Sequence, residues 1–130
     1  IKVAGLKEGR LVIDENECNH CGRCMGKCPF GALENYVNGY RIYIGGRWGK
    51  KVARGRYLDK VFTDKEEVLA IVEKAILLFR EQGITGERFA DTVERIGFEQ
   101  VQKQLLADDL LARKQENISA QKHMKGGATC

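Results

Sequence analysis

The sequence lacks two features that would place a protein in a membrane or direct it across one. No apolar run among its 130 residues approaches the roughly 20 residues that a membrane-spanning helix needs. A charged and then apolar leader that ends in a small-residue cleavage site is also missing from the residues given. We therefore expect no membrane insertion and a cytoplasmic location.

The cysteines are unevenly placed. Four of the five cysteines lie within residues 18–28, and the fifth, Cys130, ends a glycine-rich tail. Cysteines spaced this closely, in a chain without a secretion signal, favour a metal site over disulfide bonds. The short stretch 18–28 is therefore the first candidate for the chemistry of this protein.

The spacing of these cysteines indicates which metal group they hold. The pattern C-x2-C-x2-C-x3-C is formed by Cys18, Cys21, Cys24 and Cys28, and Pro29 follows it. Bacterial ferredoxins hold 4Fe-4S clusters with this spacing, and their fourth cysteine ligates the other cluster of a pair. A structural zinc site is the alternative, but such sites usually take two separated cysteine pairs. We predict that Cys18, Cys21 and Cys24 bind one 4Fe-4S cluster. Cys28 ligates either this cluster or a neighbouring one.

Two other residues of the loop support this prediction. Gly22 lets the backbone come close to the inorganic sulfurs and leaves N–H groups free to donate to them. His20 lies between two better ligands, so we expect it to face solvent.

The residues before the cysteines indicate that only half of a ferredoxin is present. The strand-like stretches 1–4 and 11–14 are what a two-motif ferredoxin places between its cysteine runs, yet only one run occurs here. The first residue, Ile1, is not methionine. We therefore expect a processed product or a piece of a longer protein, with residues 1–36 as the second half of a 4Fe-4S ferredoxin-type domain.

Positive charge is concentrated in one stretch after this domain. Only Asp59 and Asp64 oppose eight basic residues there, which are Arg41, Arg47, Lys50, Lys51, Arg54, Arg56, Lys60 and Lys65. An alternating strand at 40–44 leads into the glycine-rich, basic loop 45–51. A solvated loop is the alternative to a binding loop. We expect no nucleic-acid partner, because the aromatic residues are not arranged as a stacking platform.

From residue 63 the apolar pattern becomes helical. A capping box of Thr63 and Glu66 predicts a helix that ends at Gly83 and carries one apolar stripe. The stripe consists of Val68, Leu69, Ile71, Val72, Ala75, Ile76 and Phe79. A shorter helix should end at Gly97, and a last one should run from Phe98 past Leu110. We assign residues 37–114 to a second segment and expect residues 115–130 to be a disordered polar tail. The predicted fold class is α+β.

Four pieces of this second segment resemble a known family. The stretches 40–49, 64–82, Gly86-Glu87-Arg88-Phe89 and Arg95-Ile96-Gly97 are similar to the C-terminal segment of the sirohaem-containing nitrite and sulfite reductases. The preceding cysteine motif makes the dissimilatory and anaerobic types the most similar, because these insert a ferredoxin domain just before this segment. The resemblance implies a ferredoxin-like 4Fe-4S module followed by a strand, a basic loop and about three helices.

The resemblance also implies a second cofactor and the partners. Sirohaem of the full-length enzyme carries eight carboxylates, and Arg47, Lys50 and Lys51 are the candidates to neutralise some of them. Family members ligate their catalytic cluster through an upstream C-x5-C and C-x3-C pair, which does not occur here. We therefore expect no catalytic residue in this chain alone. Its partners would be the remainder of the reductase or its other subunits, and a redox electron donor.

The leading hypothesis from the sequence is electron transfer through a 4Fe-4S cluster as part of a sulfite or nitrite reductase. The alternative is a free-standing ferredoxin-like carrier whose helical part docks on an unrelated redox partner.

Overall fold

The computed structural model describes residues 3–120, which form two compact units divided between Asn38 and Gly39. The first unit contains the strands β1 (Ala4–Lys7) and β2 (Arg10–Ile13). The second begins with β3 (Tyr43–Ile44) and β4 (Arg56–Tyr57). Its helices are α1 (Lys65–Gln82), α2 (Phe89–Ile96), α3 (Phe98–Leu106), α4 (Asp109–Ala112) and α5 (Lys114–Ser119). Both kinds of element are present, so the predicted α+β class is confirmed. None of the helices in the described range is both long and apolar enough to cross a membrane.

The first unit is a small hairpin followed by the cysteine loop. β1 and β2 pair antiparallel with Ala4 opposite Ile13, and the turn between them places Glu8 and Gly9 in the left-handed region. Residues 1 and 2 of the predicted stretch 1–4 lie outside the described residues. β1 begins at Ala4, and β2 lies within one residue of the predicted stretch 11–14. Residues 30–34, which follow the cysteine loop, form turns and no strand. No residue between 3 and 38 is buried, so this unit has no apolar core in the described structure.

The second unit opens with a short hairpin. β3 pairs antiparallel with β4, and the Tyr43 and Tyr57 rings meet edge to face. The predicted strand 40–44 is thus shorter than expected. Tyr40 forms a separate bridge with Phe62, with N–O distances of 2.7 and 3.0 Å. The side chains of Ile44 and Phe62 are buried under the helices.

The N-cap of helix α1 lies one residue later than predicted. Asp64, and not Thr63, is the N-cap, because its carboxylate accepts the N–H of Glu66 at 3.0 Å. The end at Gly83 is confirmed, and its N–H donates to the Phe79 carbonyl at 2.8 Å. A Cβ at position 83 would lie 2.5 Å from that carbonyl oxygen and 2.9 Å from the Phe79 ring. The close approach of backbone and ring therefore requires glycine there.

The apolar stripe predicted on α1 is only partly the buried face. Leu69, Val72 and Ile76 are about half exposed or more, whereas Ile71 and Leu78 are buried. These two side chains belong to a core cluster that draws on both the hairpin and the helices. Its members are Ile44, Leu58, Phe62, Ile71, Leu78, Val93, Phe98, Val101, Leu105 and Leu110. Burial of these side chains provides the main stabilisation of the second unit.

The chain after Phe98 forms three helices and not one. α3 ends at Leu106, and α4 and α5 follow after short breaks. The expected tail starts too early, because residues 115–119 belong to α5 and Asn117 is buried. The Asn117 side-chain amide donates to the Leu77 carbonyl at 3.0 Å, which holds α5 against α1. Residues 121–130 of the expected tail lie outside the described part of the chain.

Charged groups also fix the start of α2. The Glu87 carboxylate accepts hydrogen bonds from Arg95 at 2.7 and 2.9 Å, from Thr92 Oγ1 at 2.8 Å and from Ile84 N at 3.2 Å. Arg95 also donates to the Gln82 carbonyl at 2.6 Å, so this network joins the end of α1 to α2. The hydrogen bonds from Arg95, followed by those from Thr92 and Ile84, lower the pKa of Glu87 from 4.5 to about 2, although partial burial opposes the shift.

This shift predicts a pH dependence of folding. Because the pKa of Glu87 is lower in the folded than in the unfolded chain, its contribution to stability is complete above about pH 4.5 and is lost as the pH falls towards 2. Glu87→Gln should lower the free energy of unfolding at neutral pH and reduce its slope with pH in that range. Urea denaturation followed by circular dichroism at stepped pH measures both. Arg95→Gln should reduce the slope in the same way, and an unchanged slope in Glu87→Gln would refute the assignment.

Candidate metal centre and basic hairpin

The four predicted ligands lie on one loop of the first unit. Cys18, Cys24 and Cys28 are partly buried, and Cys21 is exposed. All four thiols are free. No disulfide bond joins any of these four side chains, and their ligation of a metal stays a prediction.

The backbone of this loop turns repeatedly. Met25 N donates to the Gly22 carbonyl at 3.1 Å, Lys27 N to Cys24 at 3.3 Å and Gly31 N to Cys28 at 3.2 Å. Gly22 and Gly26 have φ values of 72° and 63°, in the left-handed region that favours glycine. No other heavy atom lies within 4 Å of a Cβ built at either glycine. The space beside both glycines is therefore open to a group that approaches the backbone.

The thiols do not converge on a common point in the structure. Among residues 3–120, no three side chains of histidine, cysteine, aspartate or glutamate are grouped closely enough to hold a metal ion. The donor chemistry, the cysteine spacing and the two open glycines fit a 4Fe-4S cluster. The four sulfurs are not arranged as a ligand set in the described structure. The assignment of Cys18, Cys21, Cys24 and Cys28 as ligands stays a prediction.

His20 occupies the expected position. It is exposed and has a φ of 54°, a left-handed conformation that histidine adopts more readily than most residues. It serves the turn between Cys18 and Cys21, in which Asn19 Oδ1 accepts the Cys21 N–H at 3.2 Å.

The basic loop of the second unit is the end of the β3–β4 hairpin. Arg47 and Ala53 exchange backbone hydrogen bonds of 3.0 and 3.1 Å, which close the hairpin above the strands. A Cβ at Gly46 would lie 3.3 Å from Gly55 N, and one at Gly55 would lie 3.2 Å from the Ile44 carbonyl oxygen. The two strands therefore approach closely at this neck. Residues 48–52 beyond it are all exposed, and we refer to them as the hairpin tip.

Arg47 points back to the helices. Its Nη1 donates to Asp91, and its Nη2 donates to Glu94 at 3.0 and 3.3 Å. Asp91 also accepts the N–H of Arg88 at 3.2 Å and so caps the first turn of α2. Only 14% of the Arg47 side chain is exposed. The guanidinium thus joins the hairpin to α2, and both of its terminal nitrogens are already engaged with carboxylates.

Lys50 and Lys51 differ from Arg47 in their surroundings. Both lie in the hairpin tip, are exposed and form no ion pair within the described chain. The three basic residues that the sequence grouped together therefore differ in the structure. Arg47 links the hairpin to α2, whereas Lys50 and Lys51 are cations without an ion pair among the described residues. A role for them at tetrapyrrole carboxylates stays a prediction.

Sequence reasoning missed the partners of Arg47. Asp91 and Glu94 are 44 and 47 residues away along the chain. Their spacing of three places both carboxylates on one face of α2, which was the available signal. That face is identifiable from the sequence, but the element that it meets is not.

Removing the Arg47 guanidinium tests this link. We expect Arg47→Gln to lower the free energy of unfolding by about 1–3 kcal/mol, because two carboxylates lose a charged hydrogen-bond donor in a partly buried setting. Arg54→Gln removes an exposed arginine of the same hairpin that forms no ion pair in the described residues, and it should change stability by less than about 0.5 kcal/mol. Equal effects in urea denaturation would contradict a structural role of Arg47.

Comparison with known proteins shows that one family match covers residues of both units. Residues 3–113 match the family described as the nitrite and sulphite reductase 4Fe-4S domain. The coenzyme F420-dependent sulfite reductase of Methanocaldococcus jannaschii is 29% identical over 129 residues, covering 75% of this chain and 20% of that protein. The chain thus spans about a fifth of the length of that relative. The family inferred from the resemblance is confirmed: the chain belongs to the nitrite and sulphite reductase 4Fe-4S domain family.

Proposed function

We propose that this chain holds a 4Fe-4S cluster in the loop 18–28 and transfers electrons within an enzyme of the sulfite or nitrite reductase type. Such a cluster accepts and donates single electrons. The observation that carries the proposal is the four-cysteine loop with free thiols, in a unit without a buried side chain among the described residues and inside the matched family domain.

The chain's own residues have distinct tasks in this proposal. The thiols of Cys18, Cys21 and Cys24 lose their protons to bind iron, and Cys28 completes this ligand set or serves a neighbouring cluster. Gly22 and Gly26 leave room for the backbone to lie against the cluster sulfurs, where N–H donors tune its reduction potential.

The family domain extends through the helices, which favours the reductase over the alternative of an independent carrier. The match to residues 3–113 includes the cysteine loop, the basic hairpin and α1 to α3. A docking module for an unrelated partner would not need to share a family domain with the cysteines. We propose that sirohaem and the site of substrate reduction belong to the assembled enzyme, and that this chain relays electrons to them. The name of the relative favours sulfite as the substrate.

Cysteine substitutions test the cluster. Anaerobic reconstitution of the full chain with iron and sulfide should give about four iron atoms per chain and a broad brown absorption. Cys21→Ser should abolish both, because one ligand of the cluster is lost. Cys130→Ser is the matched control, since it removes a cysteine outside the motif, and it should retain the full iron content.

The result for Cys28→Ser identifies the fourth ligand. Loss of iron assigns Cys28 to the local cluster, whereas retention assigns it to a neighbouring one. Tight zinc binding without iron uptake by the unmodified chain would refute the proposal.

A further inference from the structure

We propose that the hairpin tip docks on an acidic protein surface that contains an apolar cleft. The tip presents two apolar side chains, Trp48 and Val52, and two cations, Lys50 and Lys51, on five consecutive residues. This inference does not depend on the cluster.

The neck beneath the tip holds it in a defined place. Backbone hydrogen bonds between Arg47 and Ala53 close the neck, and the Arg47 side chain links it to two carboxylates of α2. The described structure contains a groove between α1 and α5 and a cavity of about 300 Å³ that is bordered by Ile44, Ala53 and Phe98 among others. No residue of the tip lines either of them. A fixed base with an exposed end suits insertion into a partner and does not suit enclosure of a ligand.

The exposure of the tip side chains is unusual for their type. Trp48 is 85% exposed and Val52 is 60% exposed. Tryptophan is enriched among the residues that contribute most to binding at protein interfaces, where it fills a pocket of the partner. Lys50 and Lys51 lack an internal partner in the described chain and can steer the tip towards negative charge. Together these features specify a partner with an apolar pocket surrounded by carboxylates.

Other occupants fit less well. A second copy would present the same basic tip at a symmetric contact, and the chain carries a net charge of +4. Nucleic acid favours several aromatic rings in succession, and the tip has only Trp48. The sequence resemblance suggested that Lys50 and Lys51 bind the carboxylates of a tetrapyrrole. A tetrapyrrole needs a concave site, and no tip residue lines the groove or the cavity of the described structure.

Fluorescence of the full chain gives a direct measurement. Trp48 is the only tryptophan, so its emission reports on the tip alone. The probe is a soluble peptide in which single leucines alternate with pairs of glutamates. Its binding should shift the emission to shorter wavelength and protect Trp48 from acrylamide, a neutral quencher that lysine substitutions do not repel or attract. The same peptide with lysine in place of glutamate should do neither.

Variants separate the charged contribution from the apolar one. The double variant Lys50→Gln/Lys51→Gln should bind the acidic peptide about five- to tenfold more weakly at ~0.1 M salt, and about as well as the unmodified chain at ~1 M salt. Trp48→Ala, followed by calorimetry, should weaken binding about tenfold or more at both salt concentrations. Lys103→Gln, the matched control, removes an exposed cation of α3 without an ion pair in the described residues and should leave the affinity unchanged.

Four results with the isolated chain would overturn the proposal. These are absence of binding to the acidic peptide at millimolar concentration, equal binding of the acidic and basic peptides, an unchanged affinity of the lysine double variant at low salt, and tighter binding of a short oligothymidylate.

Measurements on the assembled reductase distinguish a protein partner of the tip from the tetrapyrrole. Weaker subunit association with unchanged tetrapyrrole content in the lysine double variant supports docking, whereas loss of tetrapyrrole with intact association overturns it. Iron content of the same samples tests the proposed cluster separately, since neither lysine is among its ligands.

Discussion

In the proposed function, metal ligation is the constraint on which the N-terminal unit depends. Residues 3–38 bury no side chain, and their regular structure is one hairpin of two four-residue strands. An isolated two-stranded hairpin is at best marginally stable in water, so hydrophobic burial cannot order the loop that follows it. In the proposed function, thiolate bonds to iron would supply the missing energy, because metal-binding free energy becomes folding free energy where a site is not formed in advance. The proposed cluster would then be both the redox group and the structural core of this unit.

The C-terminal unit is stabilised by an apolar core instead. Its hairpin and helices share one apolar cluster, and polar contacts set how they join. Lys74 is buried and paired with Asp108 at 2.8 Å, which links α1 to the start of α4. Arg80 donates to the carbonyls of Asn117 and Ile118 at 3.1 and 2.9 Å and so satisfies the end of α5. These contacts and the apolar cluster give the basic hairpin a stable support.

The sequence predicted the features that local chemistry decides. The cysteine spacing named the cofactor of the matched family, and glycines at 83 and 97 marked helix ends correctly because close backbone approach or a positive φ is a local requirement. The face of α1 could not be predicted as reliably, since Leu69 and Ile71 are both apolar and only tertiary packing determines which one is buried. The division of the last helix into three was missed for the same reason.

The basic loop shows why charge in a sequence does not specify a binding site. Arg47, Lys50 and Lys51 look equivalent when they are read along five residues, yet carboxylates more than 40 positions away engage only the first. The largely buried Arg47 guanidinium already donates to Asp91 and Glu94, so binding an external anion would break these contacts, at a cost comparable to what the new contact would gain. Lys50 and Lys51 at the tip form no ion pair in the described residues, so they can bind an external anion without breaking an internal contact. Recognition by this loop is therefore assigned to the tip, and Arg47 contributes by fixing where the tip stands.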